Sequence, residues 1–195
     1  IKIIDILPYV GDKGVIDTSA RETAWTPNLA APITAPVGVT VYYSTSGNPC
    51  RDEVKQPAAT SPFPTGCEAP NWTTTTPTNI TSVKSVKIDF GTSTLAGGQS
   101  LEFTWPMRAP IDAPTNNEIA WNSFAFTATR SDNDQPLLAA EPNKVGIQVK
   151  GSAPAYYGNR VWYDNDHDGI QDMEEGGVDG VKVNLFKVPT LNTTP

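Results

Sequence analysis

The sequence predicts an all-β protein whose N-terminal part is an antiparallel β-sandwich. Composition and pattern support this prediction. The 195 residues are 38% hydrophobic and only 18% charged, with 18 prolines and 15 glycines among many Thr, Ser and Asn residues. That mixture disfavours helices and favours strands joined by turns. Apolar and polar residues alternate repeatedly, and no helical apolar period is long enough for a substantial helix.

Six segments show the period-two alternation of half-buried strands. The first covers residues 1–9, where Lys2 and Asp5 indicate a strand rather than a signal peptide. Glycine-rich and aspartate-rich turns separate the others, so we expect antiparallel pairing. Their apolar side chains, one face per strand, are Val37, Val39, Val41 and Tyr43; Val86, Ile88 and Phe90; Leu101, Phe103 and Trp105; Phe124, Phe126 and Ala128; and Val145, Ile147 and Val149.

The chain divides into two predicted domains at a short, stiff Gly/Pro link. Residues 1–150 form the sandwich, residues 151–157 the linker, and residues 158–195 the first part of a second, smaller β domain. No stretch approaches the roughly 20 apolar residues that span a bilayer, so we expect no membrane span. Because the chain begins without Met, we interpret it as a fragment whose signal and anchor segments lie outside it.

Residues 46–77 interrupt the alternation with prolines, threonines and both cysteines. We interpret them as a long excursion from the sandwich, closed by a disulfide between Cys50 and Cys67 in an oxidising compartment. Two unrelated free thiols are the alternative. Long ordered loops often carry binding residues, so the excursion is a candidate contact surface, although a loop without a partner explains it equally well. We expect Trp72 to pack the excursion onto the sheet rather than to bind a ligand.

Charge and residue inventory exclude several functions. The net charge of −7 and the pI near 4.6 argue against a nucleic-acid partner, which needs clustered Lys and Arg. The single histidine, His167, lies inside an acidic segment, so hydrolases that depend on a Ser-His or Cys-His pair lack their base. Zinc-site patterns and phosphate-binding glycine loops are absent from the sequence. We therefore expect no enzymatic activity.

Residues 164–175 read Asp-Asn-Asp-His-Asp-Gly-Ile-Gln-Asp-Met-Glu-Glu and match the calcium-loop pattern D-x-[DN]-x-[DN]-G-x₅-E. Ca²⁺ takes about six to eight oxygen ligands, which this loop can supply alone. We expect the side chain of Ile170 to pack inward while its carbonyl binds the ion. The predicted ligands are the carboxylates of Asp164, Asp166, Asp168, Asp172 and Glu175 and the backbone carbonyl of Ile170.

The flanks of this loop indicate how it is mounted. The preceding residues 158–163 alternate like a strand, and residues 176–186 combine a turn with a second strand. A helix–loop–helix hand would need amphipathic helices on both sides. Seven acidic residues lie between positions 158 and 180, opposed by Arg160. Such density is repulsive without a cation, so we expect Ca²⁺ to stiffen this connection.

The run Gly158–Phe186 resembles the start of the calcium-binding B domains of serine-aspartate repeat (Sdr) surface proteins, a family of prealbumin-like β-sandwiches. The resemblance implies a stalk or spacer module of a Gram-positive cell-wall protein, rigidified by Ca²⁺ through the six ligands named above. Residues Ile3–Asp12 and the region of Trp72 resemble a module that precedes B domains in large actinobacterial surface proteins. That second resemblance implies an adhesin-like architecture.

We therefore expect a non-catalytic structural or adhesive module of a secreted protein, attached to the cell wall through segments outside this chain. The expected partners are surface proteins or glycans of a host or a neighbouring cell. One alternative is a lectin-like or host-protein-binding domain that uses the excursion 46–77. Another is a subunit of a self-assembling surface filament or layer, in which the incomplete second module pairs with a neighbour's strand.

Overall fold

The computed structural model describes residues 1–55, 62–151 and 161–182. The chain forms two compact units, Ile1–Gly151 and Ser152–Pro195. Within the described residues there are eight strands, two short 3₁₀ turns and no α-helix, which confirms the all-β prediction. Residues 152–157 of the predicted linker, and residues 158–160 and 183–195 of the predicted second domain, lie outside the described residues.

The strands of the first unit form three antiparallel sheets. The strands are β1 Lys2–Ile6, β2 Asn28–Leu29, β3 Thr40–Ser44, β4 Ser85–Asp89, β5 Met107–Arg108, β6 Ile119–Asn122, β7 Phe124–Thr127 and β8 Val145–Gln148. The largest sheet has the order β3-β4-β1-β7, while β2 pairs with β5 and β6 pairs with β8. The 3₁₀ turns cover Asp52–Val54 and Ile80–Ser82.

Both faces of the four-stranded sheet are covered by apolar side chains. On one face, Tyr43, Val86 and Ile88 pack with Leu29 of β2, and Trp105 is partly buried against them. On the other face the core consists of Ile4, Ile6, Val15, Val54 and Ala125. As the alternation in β4 predicts, Val86 and Ile88 lie on one face of the sheet and pack in the core. Two covered faces and antiparallel pairing are consistent with a β-sandwich.

The predicted strands differ from the observed ones in three places. Residues 101–105 form no strand, and β5 begins only after Pro106, which has no N–H to donate to a ladder. Val37 lies outside β3 and is fully exposed. In β7 the buried side chain is Ala125, while Phe124 is exposed. Alternation locates a strand, but the direction of burial depends on what packs above each face.

Arg21 and Asp12 form a buried ion pair next to β1. Their Nε and Oδ2 atoms lie 3.1 Å apart, and the side chains are 3% and 0% exposed. Arg21 also donates from Nη1 to Asn122 Oδ1 at 3.0 Å and from Nη2 to the carbonyl of Ile6 at 2.6 Å. Asn122 in turn donates to Asp5 Oδ2 at 3.0 Å. Burial raises the pKa of Asp5 to about 6 and also raises the pKa of Asp12.

The segment Gly14–Asp17 is held from two sides. The carboxylate of Glu141 accepts hydrogen bonds from the backbone N–H of Val15 and from the Ser123 hydroxyl, at 2.9 and 2.6 Å. Arg51, whose side chain is fully buried, donates from Nε to the carbonyl of Val15 at 2.6 Å and from Nη2 to the carbonyl of Gly14 at 3.2 Å. These bonds satisfy buried carbonyls that a loop would otherwise leave without partners.

Candidate metal centre

A short antiparallel pairing closes the acidic loop of the second unit. Trp162 forms a β-bridge with Gly177. The N–H of Tyr163 donates to the carbonyl of Gly176 at 3.1 Å, and the N–H of Val178 donates to the carbonyl of Val161 at 2.8 Å. The two ends of loop 164–175 are thus adjacent and extended. This geometry differs from a helix–loop–helix hand.

The backbone of the loop folds around its own carboxylates. Asp164 accepts the N–H of Asp168 at 3.2 Å and the N–H of Gly169 at 3.0 Å. Asp168 accepts the N–H of Ile170 at 2.7 Å. The chain turns sharply because His167 and Gly169 have φ values of +63° and +76°, in the left-handed region that glycine adopts without a steric penalty. Short local bonds of this kind are typical of Asp-rich turns.

The first three predicted ligands converge. Ligand oxygens of Asp164, Asp166 and Asp168 all lie within 4.8 Å of one another; Asp164 is half-buried and the other two are exposed. Three carboxylates at this spacing repel one another unless a cation lies among them. The cluster contains no His or Cys, so its donors suit a hard cation such as Ca²⁺ rather than zinc.

Glu175 lies at the other end of the loop and is 7% exposed. Its Oε1 accepts the N–H of Asn165 at 2.7 Å, and its Oε2 accepts the N–H of Asp172 at 3.1 Å. Asp166, Asp172 and Glu175 line a common cleft of about 390 Å³. Asp172 and Glu175 are not among the carboxylates that converge within 4.8 Å, so the structure brings together three of the five predicted carboxylate ligands and places the other two along an adjoining cleft.

The predicted inward packing of the Ile170 side chain is wrong, because that side chain is exposed. Neither apolar cluster of the structure includes a residue from 161–182. The role of the Ile170 carbonyl as a metal ligand stays a prediction.

The excursion 46–77 is anchored to the sheet, and its residues 56–61 lie outside the described residues. Cys50 and Cys67 form a disulfide, as predicted, with their Sγ atoms 1.98 Å apart. Thr73 exchanges two backbone hydrogen bonds with Tyr43 of β3, at 2.8 and 3.1 Å. The ring of Trp72 lies 5.1 Å from Lys87 Nζ of β4, in agreement with packing onto the sheet. Ligand binding by the excursion stays a prediction.

Sequence reasoning missed an apolar groove on the β6–β8 ribbon. Its lining includes Val145 and Ile147, which alternation had placed on one face of a half-buried strand. Nothing in the sequence distinguishes a strand that buries its apolar face from one that leaves it open. The signal that was available is the pair of lysines, Lys144 and Lys150, that bracket this strand.

Within the described residues, no helix has the length and apolar character needed to cross a membrane.

Comparison with known proteins finds similarity in the C-terminal segment. Residues 155–194 match the family model of the SdrD B-like domain. A fibrinogen-binding protein of Staphylococcus epidermidis is 40% identical over 73 residues, an alignment that covers 31% of this chain and 7% of that protein. No solved structure is significantly similar to the chain. The predicted resemblance to an Sdr B domain is confirmed, while the actinobacterial resemblance of the N-terminal part stays a prediction.

Proposed function

We propose that this chain is a non-catalytic, adhesin-type module of a bacterial cell-surface protein, and that Ca²⁺ bound in loop 164–175 stiffens its second unit. The observation that carries the proposal is the convergence of the Asp164, Asp166 and Asp168 carboxylates within 4.8 Å in a loop closed by β-pairing. The match of residues 155–194 to the SdrD B-like domain supports it. The similarity to a staphylococcal fibrinogen-binding protein supports the cell-surface location.

Stiffening follows from the position of the proposed ligands. Asp164 comes directly after the extended residues 161–163, and Glu175 directly precedes the partner residues 176–178. An ion held by both carboxylates would join the two ends of the loop and neutralise the repulsion between them. Separation of the paired residues would then require loss of the metal. The backbone bonds to Asp164 and Glu175 already order the loop, which lowers the entropy cost of binding.

Each proposed ligand has a distinct role. Asp164, Asp166 and Asp168 supply the first carboxylate oxygens and Glu175 closes the site with two more. Asp172, which shares the cleft with Glu175, binds directly or through water, and Ile170 contributes its carbonyl. Asp179 lies outside loop 164–175 and does not line the cleft, and it is exposed. Its carboxylate therefore provides a control for charge alone.

Calcium-dependent unfolding of the whole chain tests the metal proposal. Thermal unfolding followed by circular dichroism, with added CaCl₂ and with chelator, should show a reversible increase in stability with the ion. A ligand present at about 100 times its dissociation constant adds roughly 2.7 kcal/mol to the free energy of unfolding. Limited proteolysis should show the protection concentrated in residues 161–182.

Two variants of equal charge change separate coordination from net charge. Glu175→Gln should remove most of the calcium-induced stabilisation, whereas Asp179→Asn should retain it. Identical unfolding curves in calcium and in chelator would refute the metal proposal. Equal losses of the calcium-induced stabilisation in both variants would show that calcium acts through non-specific electrostatics rather than through coordination.

For the adhesive role, the proposed partner class is a host or neighbouring-cell surface protein. Fibrinogen is the first protein to test, because the staphylococcal relative is named for binding it. Surface plasmon resonance on immobilised fibrinogen, with albumin and a glycan array as comparisons, should give saturable binding to protein. Binding to glycans alone would favour the lectin-like alternative. Particles larger than a monomer in light scattering would favour the filament alternative.

A surface location is part of the same proposal. Antibody raised against this chain should label intact cells of the source organism, and cell-wall digestion should release the antigen. Recovery of all antigen from inside intact cells would contradict it. The absence of a His-based catalytic pair in the sequence motivates the non-catalytic assignment, which activity screens against ester, peptide and glycoside substrates would test.

A further inference from the structure

Two Asp-Gly dipeptides lie in the described part of the second unit, and their surroundings differ. Asp168–Gly169 belongs to the acidic loop, whereas Asp179–Gly180 lies in a turn beyond it. Both aspartates are exposed. The two glycines have φ values of +76° and +74°, and a Cβ atom added to either would meet no heavy atom within 4 Å. Because glycine has no side chain to shield its backbone nitrogen, that nitrogen can attack the carboxyl group of the preceding aspartate.

Asp164 places a base at the first of these dipeptides. Its Oδ2 accepts the N–H of Gly169 at 3.0 Å. When the nitrogen attacks a carboxyl carbon, its proton becomes acidic, and a carboxylate at hydrogen-bonding distance can receive that proton. Among the described residues, no carboxylate accepts the N–H of Gly180. The two dipeptides therefore have the same local chemistry, and the first alone has a base beside its nucleophile in the described structure.

A second backbone bond activates the carboxyl group of Asp168. The N–H of Ile170 donates to its Oδ1 at 2.7 Å. Attack on the carboxyl carbon develops negative charge on this oxygen, and a donor that already points at it stabilises that charge. The bond also closes a ring of atoms that includes the nitrogen of Gly169, which keeps this nitrogen near the carboxyl carbon. Nucleophile, base and oxyanion donor thus surround one carboxyl group.

We infer that Asp168 is a site of self-catalysed isomerisation when no metal is bound to the loop. The nitrogen of Gly169 forms a bond to Cγ of Asp168, and the amide proton and the carboxyl hydroxyl leave as water, which yields a cyclic succinimide. Water then opens the ring at one of its two carbonyls. One opening restores aspartate, and the other gives isoaspartate, whose main chain runs through Cγ. The water lost in the first step is regained in the second, so no cofactor or oxidant is required.

Isoaspartate at position 168 removes a proposed calcium ligand. The main chain gains one methylene group there and the free carboxylate moves to Cα, so the alternating ligand pattern is broken. The carboxylates of Asp164, Asp166 and Asp168 lie within 4.8 Å, and an ion among them would engage the base and the reacting carboxyl group together. Protection by calcium rests on the proposed function, whereas the isomerisation itself does not.

Oxygen-isotope labelling tests the inference on the full chain. The protein is held in water enriched in ¹⁸O with a chelator, and each opening of a succinimide adds one ¹⁸O atom, which peptide mapping by mass spectrometry detects. Electron-transfer fragmentation distinguishes isoaspartate from aspartate at the labelled position. Labelling at Asp168 should be at least tenfold faster than at Asp179, because Asp168 alone has the positioned base. In urea the two rates should become similar, since the contacts with Asp164 and Ile170 are lost.

Asp164→Asn separates proton transfer from hydrogen bonding. The asparagine side chain has nearly the same shape, and its oxygen can still accept the N–H of Gly169, but it cannot take the proton. In chelator, this variant should label Asp168 at least tenfold more slowly, while labelling of Asp179 in the same molecule stays unchanged as the control. The inference is overturned if both aspartates label equally in the folded chain, if their difference persists in urea, or if Asp164→Asn labels Asp168 at the normal rate.

Addition of CaCl₂ distinguishes this inference from the proposed function. Saturating calcium should slow the labelling of Asp168 at least tenfold and leave that of Asp179 unchanged, because coordination occupies the base. Preferential labelling of Asp168 that calcium does not alter would refute the proposed metal site and support the isomerisation. Stabilisation of the chain by calcium, together with equal labelling of the two aspartates in chelator, would refute the isomerisation and support the metal site.

Discussion

The guanidinium of Arg21 meets the carboxylate of Asp12 at 3.1 Å, in a position that water hardly reaches. Arg130 and Asp132, which are two positions apart in the sequence, form a second ion pair, but both of those side chains are about half exposed. The two pairs have the same chemistry and opposite surroundings. Their comparison shows how strongly solvent determines the stability that an ion pair provides.

Asp12→Ala should lower the free energy of unfolding by about 3–5 kcal/mol, because it leaves the buried charge of Arg21 without its partner. Chemical denaturation at pH 7 measures this loss. The control, Asp132→Ala, breaks an exposed pair and should cause no measurable change. Similar effects in the two variants would show that burial does not determine the contribution of the Arg21–Asp12 pair.

Asp5→Asn should change how stability depends on pH. Burial raises the pKa of Asp5 from 3.8 to about 6, so between these values the folded state holds a proton that the unfolded state has released. The stability that the neutral carboxyl provides is complete below about pH 4 and is lost as the pH rises through 6. At pH 7 the ionised group costs on the order of 3 kcal/mol.

The asparagine variant carries no charge there, and its side-chain oxygen can still accept the bond from Asn122. The stability of Asp5→Asn relative to the unmodified chain should therefore increase between pH 4 and 7, as measured by denaturant unfolding across that range. A constant difference between the two proteins would contradict the raised pKa. Asp12 titrates in both proteins, so it does not contribute to the difference.

Removal of the disulfide should destabilise the first unit through the unfolded state. Cys50 and Cys67 are separated by 17 positions, and closing a loop of this length removes about 3 kcal/mol of chain entropy from the unfolded ensemble. The double variant Cys50→Ser with Cys67→Ser should lose about this amount in chemical denaturation. The unmodified chain should show the same loss under a reducing agent, and an unchanged midpoint in either case would contradict the prediction.

Gly169→Ala should weaken calcium binding through backbone conformation alone. Gly169 has φ +76°, and a Cβ atom added at this position would have no heavy atom within 4 Å, so only the left-handed backbone opposes alanine. That conformation costs alanine about 1 kcal/mol, which corresponds to roughly a fivefold loss of affinity. Calorimetric titration with CaCl₂ measures the change.

Gly176→Ala is the matched control, because Gly176 also has open space around it and its φ lies outside the left-handed region. It should bind calcium like the unmodified chain. Equal affinity of the Gly169→Ala variant would show that the turn at this position does not need glycine.

Local pattern in the sequence predicted much of the fold and part of the candidate site. Alternation located β3, β4, β7 and β8, and the calcium-loop spacing pointed to the segment in which the carboxylates of three aspartates lie within 4.8 Å of one another. Local pattern did not predict the buried polar cluster, because Asp12 lies in a Gly11–Gly14 segment with the composition of an ordinary turn. Its burial depends on Arg21 and Asn122, and no local period connects residues so far apart in the chain.

Local pattern in the sequence also did not predict which apolar side chains are buried. Val86 and Val145 occupy similar alternating runs, yet Val86 is buried and Val145 is exposed. The difference arises from what covers each strand. β4 lies between β1 and β3 inside a sheet, whereas β8 lies at the end of a two-stranded ribbon. Tertiary packing decides burial, and a single sequence shows only that a strand is possible.

The placement of β1 between β4 and β7 sets the order in which the first unit can assemble. Lys2 pairs with Asp89 on one side and with Thr127 on the other, so the central strand finds its neighbours only across long stretches of chain. Closing such loops carries an entropic cost before any contact compensates for it, which makes folding slow compared with helical proteins of similar size. During synthesis, the core that contains Ile4 and Ile6 stays incomplete until Ala125 has emerged from the ribosome, and an incompletely covered apolar core is prone to aggregation over that interval.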